Sequence, residues 1–126
     1  MSTTLTTTLT LVEPLPGLAP AVDYRLSEID EAPGLFSLES ASPAGIRLHV
    51  ISAAAYLPGY APRLPAEAVA GLGTHPDLLV VTTLVDGTPW VNLLAPIAVD
   101  PDTGAARQII LEGDYPVRVP LTDAAA

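Results

Sequence analysis

Fourteen prolines are spread through 126 residues, from Pro14 to Pro120, and they cut the chain into short pieces. A proline ends a helix, because it has no N–H and its ring meets the preceding turn. It also cannot donate within a central strand ladder. Short strands are the expected result. No repeat at solenoid periods breaks this pattern. The length suits one domain over residues 1–126, with roughly residues 1–8 and 122–126 as less ordered ends. A chain of this size can bury a core without metals or disulfides.

The pieces between prolines read mostly as strands. Thr3 to Val12 is threonine-rich, with Leu5, Leu9 and Leu11 at odd positions. That alternation on β-branched residues predicts a strand. Tyr24–Ile29 and Leu35–Ser40 are shorter candidates. Ile46–Ile51 alternates cleanly, with Ile46, Leu48 and Val50 on one face. Ala53 to Pro65 reads as a loop. Pro65 to Gly71 is the one convincing helix, with Pro65 suited to its first position and Gly71 or Gly73 to its end. It is about two turns long, so packing must hold it.

The C-terminal half is the most strongly patterned. Leu78–Val85 is a continuous apolar strand, and Asp86-Gly87-Thr88-Pro89 is a hairpin turn. Trp90–Val99 reads as a second long strand, interrupted by Pro96. Asp100-Pro101-Asp102-Thr103-Gly104 is another hairpin connection, and Arg107–Leu111 is the third strand. Three such strands make an antiparallel meander. With the N-terminal strands they predict an all-β, mainly antiparallel fold, a small closed or partly open β-barrel with one short helix.

The chemistry-bearing residues are few. There is no cysteine, which removes a disulfide scaffold, a thiol nucleophile and a thiolate metal site, and which fits a reducing compartment. His49 alternates with Arg47 on the exposed face of a strand, and His75 sits in a loop; neither has a second histidine at metal-ligand spacing. No Gly-x-Ser-x-Gly elbow, phosphate loop or dinucleotide fingerprint is present. The carboxylate pairs Asp30-Glu31 and Asp100/Asp102 lie in turns. Asp100–Gly104 resembles the start of a calcium loop, but Ala105 stands at the required glycine and Leu111 at the bidentate glutamate. A hairpin is the better reading. No catalytic, cofactor or metal site is expected, and the chain reads as a binding module.

The formal net charge is −9, from 14 acidic residues against 5 basic ones, all arginine. A phosphate backbone would repel such a chain. A basic protein surface would be attracted to it. The same charge also keeps a very apolar chain in solution, and charge alone does not separate these uses. The start of the chain has no basic n-region and no unbroken apolar run, and no stretch is long and apolar enough to span a bilayer. The chain reads as soluble and cytoplasmic.

One segment is not generic. In Val91-Asn92-Leu93-Leu94-Ala95-Pro96-Ile97-Ala98-Val99 a proline interrupts an apolar strand, which requires an edge or a bulge. Asn92 precedes apolar residues, and its amide needs partners if it is buried. Two readings stay open. Asn92 and Pro96 shape a bulge, or a broken edge here is where a partner docks by strand addition or apolar contact.

Asn92-Leu93-Leu94-Ala95-Pro96-Ile97, then Arg107-Gln108-Ile109-Ile110-Leu111, then Tyr115-Pro116-Val117-Arg118-Val119-Pro120-Leu121 resemble the C-terminal half of the FliW flagellar assembly factors. That family typically shows N-L-L-A-P-I, K-Q-[VI]-[VI]-L and a tail ending near H-P-[IL]. Upstream, Leu15-Pro16-Gly17-Leu18 resembles its L-P-G-F, Leu38-Glu39-Ser40 its L-Q-S, and Tyr56-Leu57-Pro58-Gly59-Tyr60 its F-F-P-D-Y. The resemblance spans roughly Leu9 to Leu121. Several residues depart from the pattern: Leu18 and Leu57 are aliphatic where the family is aromatic, Glu39 replaces a glutamine, Ala53 a proline and Val119 a histidine.

The resemblance implies a non-enzymatic protein, a monomer when free, that binds flagellin in the cytoplasm and also binds the translational repressor CsrA. Freed by flagellin export, it would relieve repression of flagellin mRNA. The residues expected to meet a partner are Asn92, Leu93, Leu94, Pro96, Ile97, Tyr115, Arg118 and Tyr60. Two other classes compete: a small ligand-binding or enzymatic β-barrel with a pocket the sequence does not advertise, and a structural subunit that oligomerises through an exposed edge.

Overall fold

β-Branched runs and frequent turns give strands throughout. The computed structural model describes residues 6–15, 17–29, 31–42, 45–73 and 75–124. Thr3–Leu5 of the expected first strand, Pro16 of the L-P-G-F-like motif, Asp30 of an expected turn, Thr74 beside the loop residue His75, and residues 1–5 and 125–126 of the terminal segments lie outside the described residues. The strands are β1 (Thr6–Leu11), β2 (Asp23–Glu28), β3 (Leu35–Ser42), β4 (Arg47–Ser52), β5 (Asp77–Val85), β6 (Thr88–Val91), β7 (Ile97–Val99), β8 (Ala105–Gln108) and β9 (Val119–Pro120). Two single-turn helices, α1 (Ala53–Tyr56) and α2 (Leu121–Ala124), complete the described elements.

Seven strands close into a barrel in the order β4-β3-β2-β1-β8-β7-β5, with β5 returning to β4. Every pairing in the ring is antiparallel except β1–β8, which is parallel. An odd ring requires such an exception. Each antiparallel pairing reverses strand direction, and an odd number of reversals cannot return to the starting direction. The expected all-β barrel is thus present. β6 and β9 extend the sheet outside the ring, β6 on the far end of β5 and β9 on β6.

Period-2 alternation fills the interior. Tyr24, Leu26, Leu38, Val50, Leu79, Ile97, Val99 and Ala106 point inward and are buried, while Arg25, Glu39, Arg47 and His49 are exposed. Ile46 and Leu48 share the inward face with Val50, as the alternation predicts. β5 and β7 are also covered outside. Ile51, Val80, Val91 and Leu93 pack under α1 and the C-terminal tail. Ala98, Ile109 and Leu111 pack under Leu64, Ala68, Val69 and Leu72. Burial on both faces is why β5 reads as an unbroken apolar run.

The turns follow local chemistry. Asp86 and Gly87 have φ of 52° and 80°. Positive φ at both central residues is the type I′ turn that suits a two-residue hairpin. In the β7–β8 hairpin the buried Asp100 accepts through Oδ1 from the Asp102 N–H at 2.9 Å, and Gly104 N–H donates to the Asp100 carbonyl at 2.8 Å. The acidic residue that opened the calcium-like motif caps a turn.

Three boundaries differ from expectation. Pro65–Gly71 forms turns, not a helix, with the Ala68 N–H donating to the Pro65 carbonyl at 3.0 Å. The first helix lies upstream at Ala53–Tyr56, where the Ser52 hydroxyl accepts from the Ala55 N–H at 3.3 Å. Trp90–Val99 is not one strand but two, β6 and β7, with irregular chain between them. The third strand of the meander is Ala105–Gln108, and Ile109–Leu111 continues beyond it outside the strand.

Candidate partner-binding surface

β6 and β7 lie on the same edge of β5, but they do not share one register. Val91 pairs with Thr82 and Ile97 with Leu79, so six residue steps on one side oppose three on the other. The excess is taken up by Asn92–Pro96. Asn92 shapes this bulge. Its backbone N–H donates to the Val81 carbonyl at 3.1 Å, which anchors it to β5. Its Oδ1 accepts from the Leu94 N–H at 3.0 Å and the Ala95 N–H at 3.2 Å. A side-chain amide does here what a strand partner cannot.

The carbonyls that follow are all taken. Leu93 O accepts from the Tyr60 hydroxyl at 2.6 Å, and Leu94 O from the Leu111 N–H at 2.8 Å. Ala95 O accepts from Gln108 Nε2 at 3.3 Å, and Pro96 O from the Ile109 N–H at 2.9 Å. The Leu93 N–H donates to the Pro116 carbonyl at 3.0 Å, which ties in the C-terminal tail. This is a closed bulge, not an open edge. Pro96 and Ile97 are fully buried, Ile97 in the barrel interior. Their side chains face the core, and the sequence-based picture of a docking edge at these two residues gives way to a packing role.

Of the other six expected residues, Tyr60, Leu93, Leu94 and Tyr115 share apolar clusters. Tyr60 and Tyr115 meet edge to face, with ring centroids 6.0 Å apart and planes at 87°. Tyr60 joins Leu93 by its hydroxyl, and Leu94 packs in the same apolar cluster as both tyrosines. Arg118 lies over the Trp90 ring at 4.9 Å from its centroid, a cation–π contact. Arg118 is exposed, and Tyr60, Asn92, Leu94 and Tyr115 are half-buried. Val117 at 60% and Ile110 at 63% exposure add apolar surface nearby in sequence. Such a mix of aromatic, aliphatic and arginine side chains is what protein interfaces are rich in.

Burial pushes the Tyr60 phenol up to about 12, and the neighbouring Tyr115 adds to the effect. At neutral pH Tyr60 therefore keeps its proton and donates to Leu93 O. Trp90, which carries Arg118, was not among the residues singled out from sequence. A lone tryptophan beginning a strand was the available signal. Among the described residues no group of His, Cys, Asp or Glu could hold a metal ion. Among them also no helix is long and apolar enough to cross a membrane.

A second surface lies on the other edge of β5. A groove of about 700 Å³ is lined by Leu35, Arg47, His49, Ile51, Thr83 and Leu84 among others. Leu84 is 74% exposed. In sequence, Leu84 disappears into an apolar strand and Arg47 and His49 read as solvated polar residues.

Comparison with known proteins adds identity to this geometry. The family model described as FliW protein matches residues 1–121. No curated protein matches the chain in sequence. Among solved structures, the chain is similar to the crystal structure of the flagellar assembly factor FliW, with a TM-score of 0.80 and 21% sequence identity. The match covers 90% of this chain and 84% of that one. At that identity the likeness is one of fold.

Proposed function

This chain belongs to the FliW family, and from that premise we propose that it is a non-enzymatic flagellar assembly factor that binds flagellin and a CsrA-type repressor in the cytoplasm. The observation that carries the reading is the family match over residues 1–121. Flagellin and the repressor are alternative partners. When flagellin is exported, the freed protein, a monomer, engages the repressor and flagellin mRNA is translated. The net charge of −9 supports this, because an RNA-binding repressor must present basic surface. The binding surface is the cluster of Tyr60, Asn92, Leu93, Leu94, Tyr115 and Arg118, with Trp90 beneath the arginine.

A ligand-binding or enzymatic barrel has less support. The groove beside β5 is mainly aliphatic, and among the described residues Arg47 and His49 are the only ionisable ones in its lining. The test is direct. The purified chain is titrated with purified flagellin and with purified CsrA by calorimetry at micromolar concentration. Each should bind, and addition of the chain should restore translation of a flagellin-leader reporter blocked by CsrA. Binding of neither partner refutes the assignment. Arg118→Glu and Tyr115→Ala should weaken binding without unfolding the barrel. Unchanged affinity in both would move the surface elsewhere.

A further inference from the structure

The groove on the free side of β5 has a specific origin. β4 and β5 pair only from His49↔Thr82 to Ser52↔Leu79. Both strands continue past that point, β4 back to Arg47 and β5 on to Val85. On its other edge, β5 remains paired with β6 as far as Val85↔Thr88. None of the described residues pairs with Thr83–Val85 on the β4 side. The strand ends part, and the groove opens between them. An unpaired strand edge beside an apolar floor is a template for another strand.

Charge narrows the occupant. Among the described residues none that lines the groove is acidic, although the chain has 14 Asp and Glu. Arg47 and His49, two of the residues able to carry positive charge among 5 arginines and 2 histidines, stand on its wall. Arg47 also meets Glu39 at 3.5 Å, but the two side chains are 60% and 51% exposed. Such a solvated pair is weak, and the guanidinium has further donors to offer. The floor, with Leu35, Ile51 and Val81, is aliphatic.

We propose that this groove captures an extended, aliphatic-rich segment of a partner protein, which pairs with the Thr83–Val85 edge and sets a carboxylate against Arg47 and His49. The free edge calls for extended backbone, the floor for aliphatic side chains at alternate positions, and the wall for negative charge. The groove is a different surface from the Tyr60–Tyr115 cluster, so the inference does not depend on flagellin or CsrA binding there.

The test uses the full chain, isotope-labelled for amide NMR, and a synthetic peptide of about nine residues that alternates valine and threonine. The peptide has a free C-terminal carboxylate. Saturable shifts are expected at Thr83–Val85 and Arg47–His49. The C-terminal amide should bind about threefold or more weakly, the loss set by one solvated charge contact. A version with a central proline should not bind. Leu84→Asp should weaken binding about tenfold or more. Its melting temperature should stay close to the parent's, since Leu84 is 74% exposed. Arg47→Glu should act in the same direction. No saturable shift, shifts centred on Tyr60 and Tyr115 instead, or equal binding of the proline version overturns the proposal. So does occupation by a second copy of the chain, seen as concentration-dependent shifts at the same amides without peptide.

Discussion

Asn92 offers the clearest separation between shaping a surface and contacting a partner. Replacing it with alanine removes the acceptor of the Leu94 and Ala95 N–H groups. Ala95 is only 5% exposed, so water cannot replace the lost bond there. An unsatisfied buried donor costs about 1–3 kcal/mol, and a partly wet one such as Leu94 N–H about 0.5–1 kcal/mol. Asn92→Ala should therefore lower stability by about 1.5–4 kcal/mol, a large share of the roughly 5–15 kcal/mol of a typical domain. Asn92→Asp keeps the accepting oxygen in place and should cost less than about 1 kcal/mol. Urea denaturation followed by fluorescence of the single tryptophan, Trp90, measures both. If Asn92→Ala is as stable as the parent, or if Asn92→Asp falls as far as Asn92→Ala, the side chain does not hold the bulge.

Further outcomes follow from the same geometry. Ile97→Ala should cost about 2–5 kcal/mol because the residue is wholly buried in the barrel; Ile97→Arg should abolish the cooperative urea transition, and a folded Ile97→Arg protein would put the residue at the surface. Gly104 has φ of 81°, and a Cβ there would collide with the Thr8 carbonyl across the parallel β1–β8 contact. Gly104→Ala should therefore lose about 2 kcal/mol or more, read as a lower urea midpoint, and an unchanged midpoint would refute the clash. Tyr60 should make stability fall at high pH. Its folded pKa of about 12 lies above the ordinary 10.0, so its contribution is complete below pH 10 and is lost as the pH rises through 12. Tyr60→Phe should flatten that part of the stability–pH curve, which an identical slope would contradict.

Much of the barrel is legible in the sequence because its signals are local. Alternation marks Ile46–Ile51, and Asp86-Gly87 marks the hairpin. The parallel β1–β8 contact is not legible. It joins Thr10 to Ala105 with no turn between them to announce it. The helix at Pro65–Gly71 fails for a related reason. Pro65 and Gly71 suit helix ends, but Leu64, Ala68, Val69 and Leu72 pack outward-facing barrel residues from a turn. The true first helix had a signal that proline spacing obscured: Ser52 is an N-cap followed by three alanines. Of the candidate site, Tyr60 and Tyr115 meet edge to face and Arg118 lies over Trp90, contacts between segments far apart in the chain that no local pattern announces. Pro96 and Ile97 misled because a proline in an apolar strand fits an open edge and a satisfied bulge equally well. The hydrogen bonds donated by the Ile109 and Leu111 N–H groups, with the burial of Pro96 and Ile97, distinguish the two.

That bulge also explains why the molecule has two candidate surfaces. By absorbing the excess residues between Val91 and Ile97, it lets β7 stay in the ring while β6 leaves it. The departing β6 then carries Trp90 and receives β9, which brings Arg118 and the tail against the barrel. The same departure keeps β5 ordered to Val85 through pairing with β6, beyond the point where β4 has left it. The free Thr83–Val85 edge and the Tyr60–Tyr115 cluster thus depend on one irregularity. The tail links them physically, since Pro116 accepts from Leu93 at one end and Leu121 lines the groove at the other. A chain whose β6 and β7 formed a single regular strand would have neither the bent wing nor the parted seam.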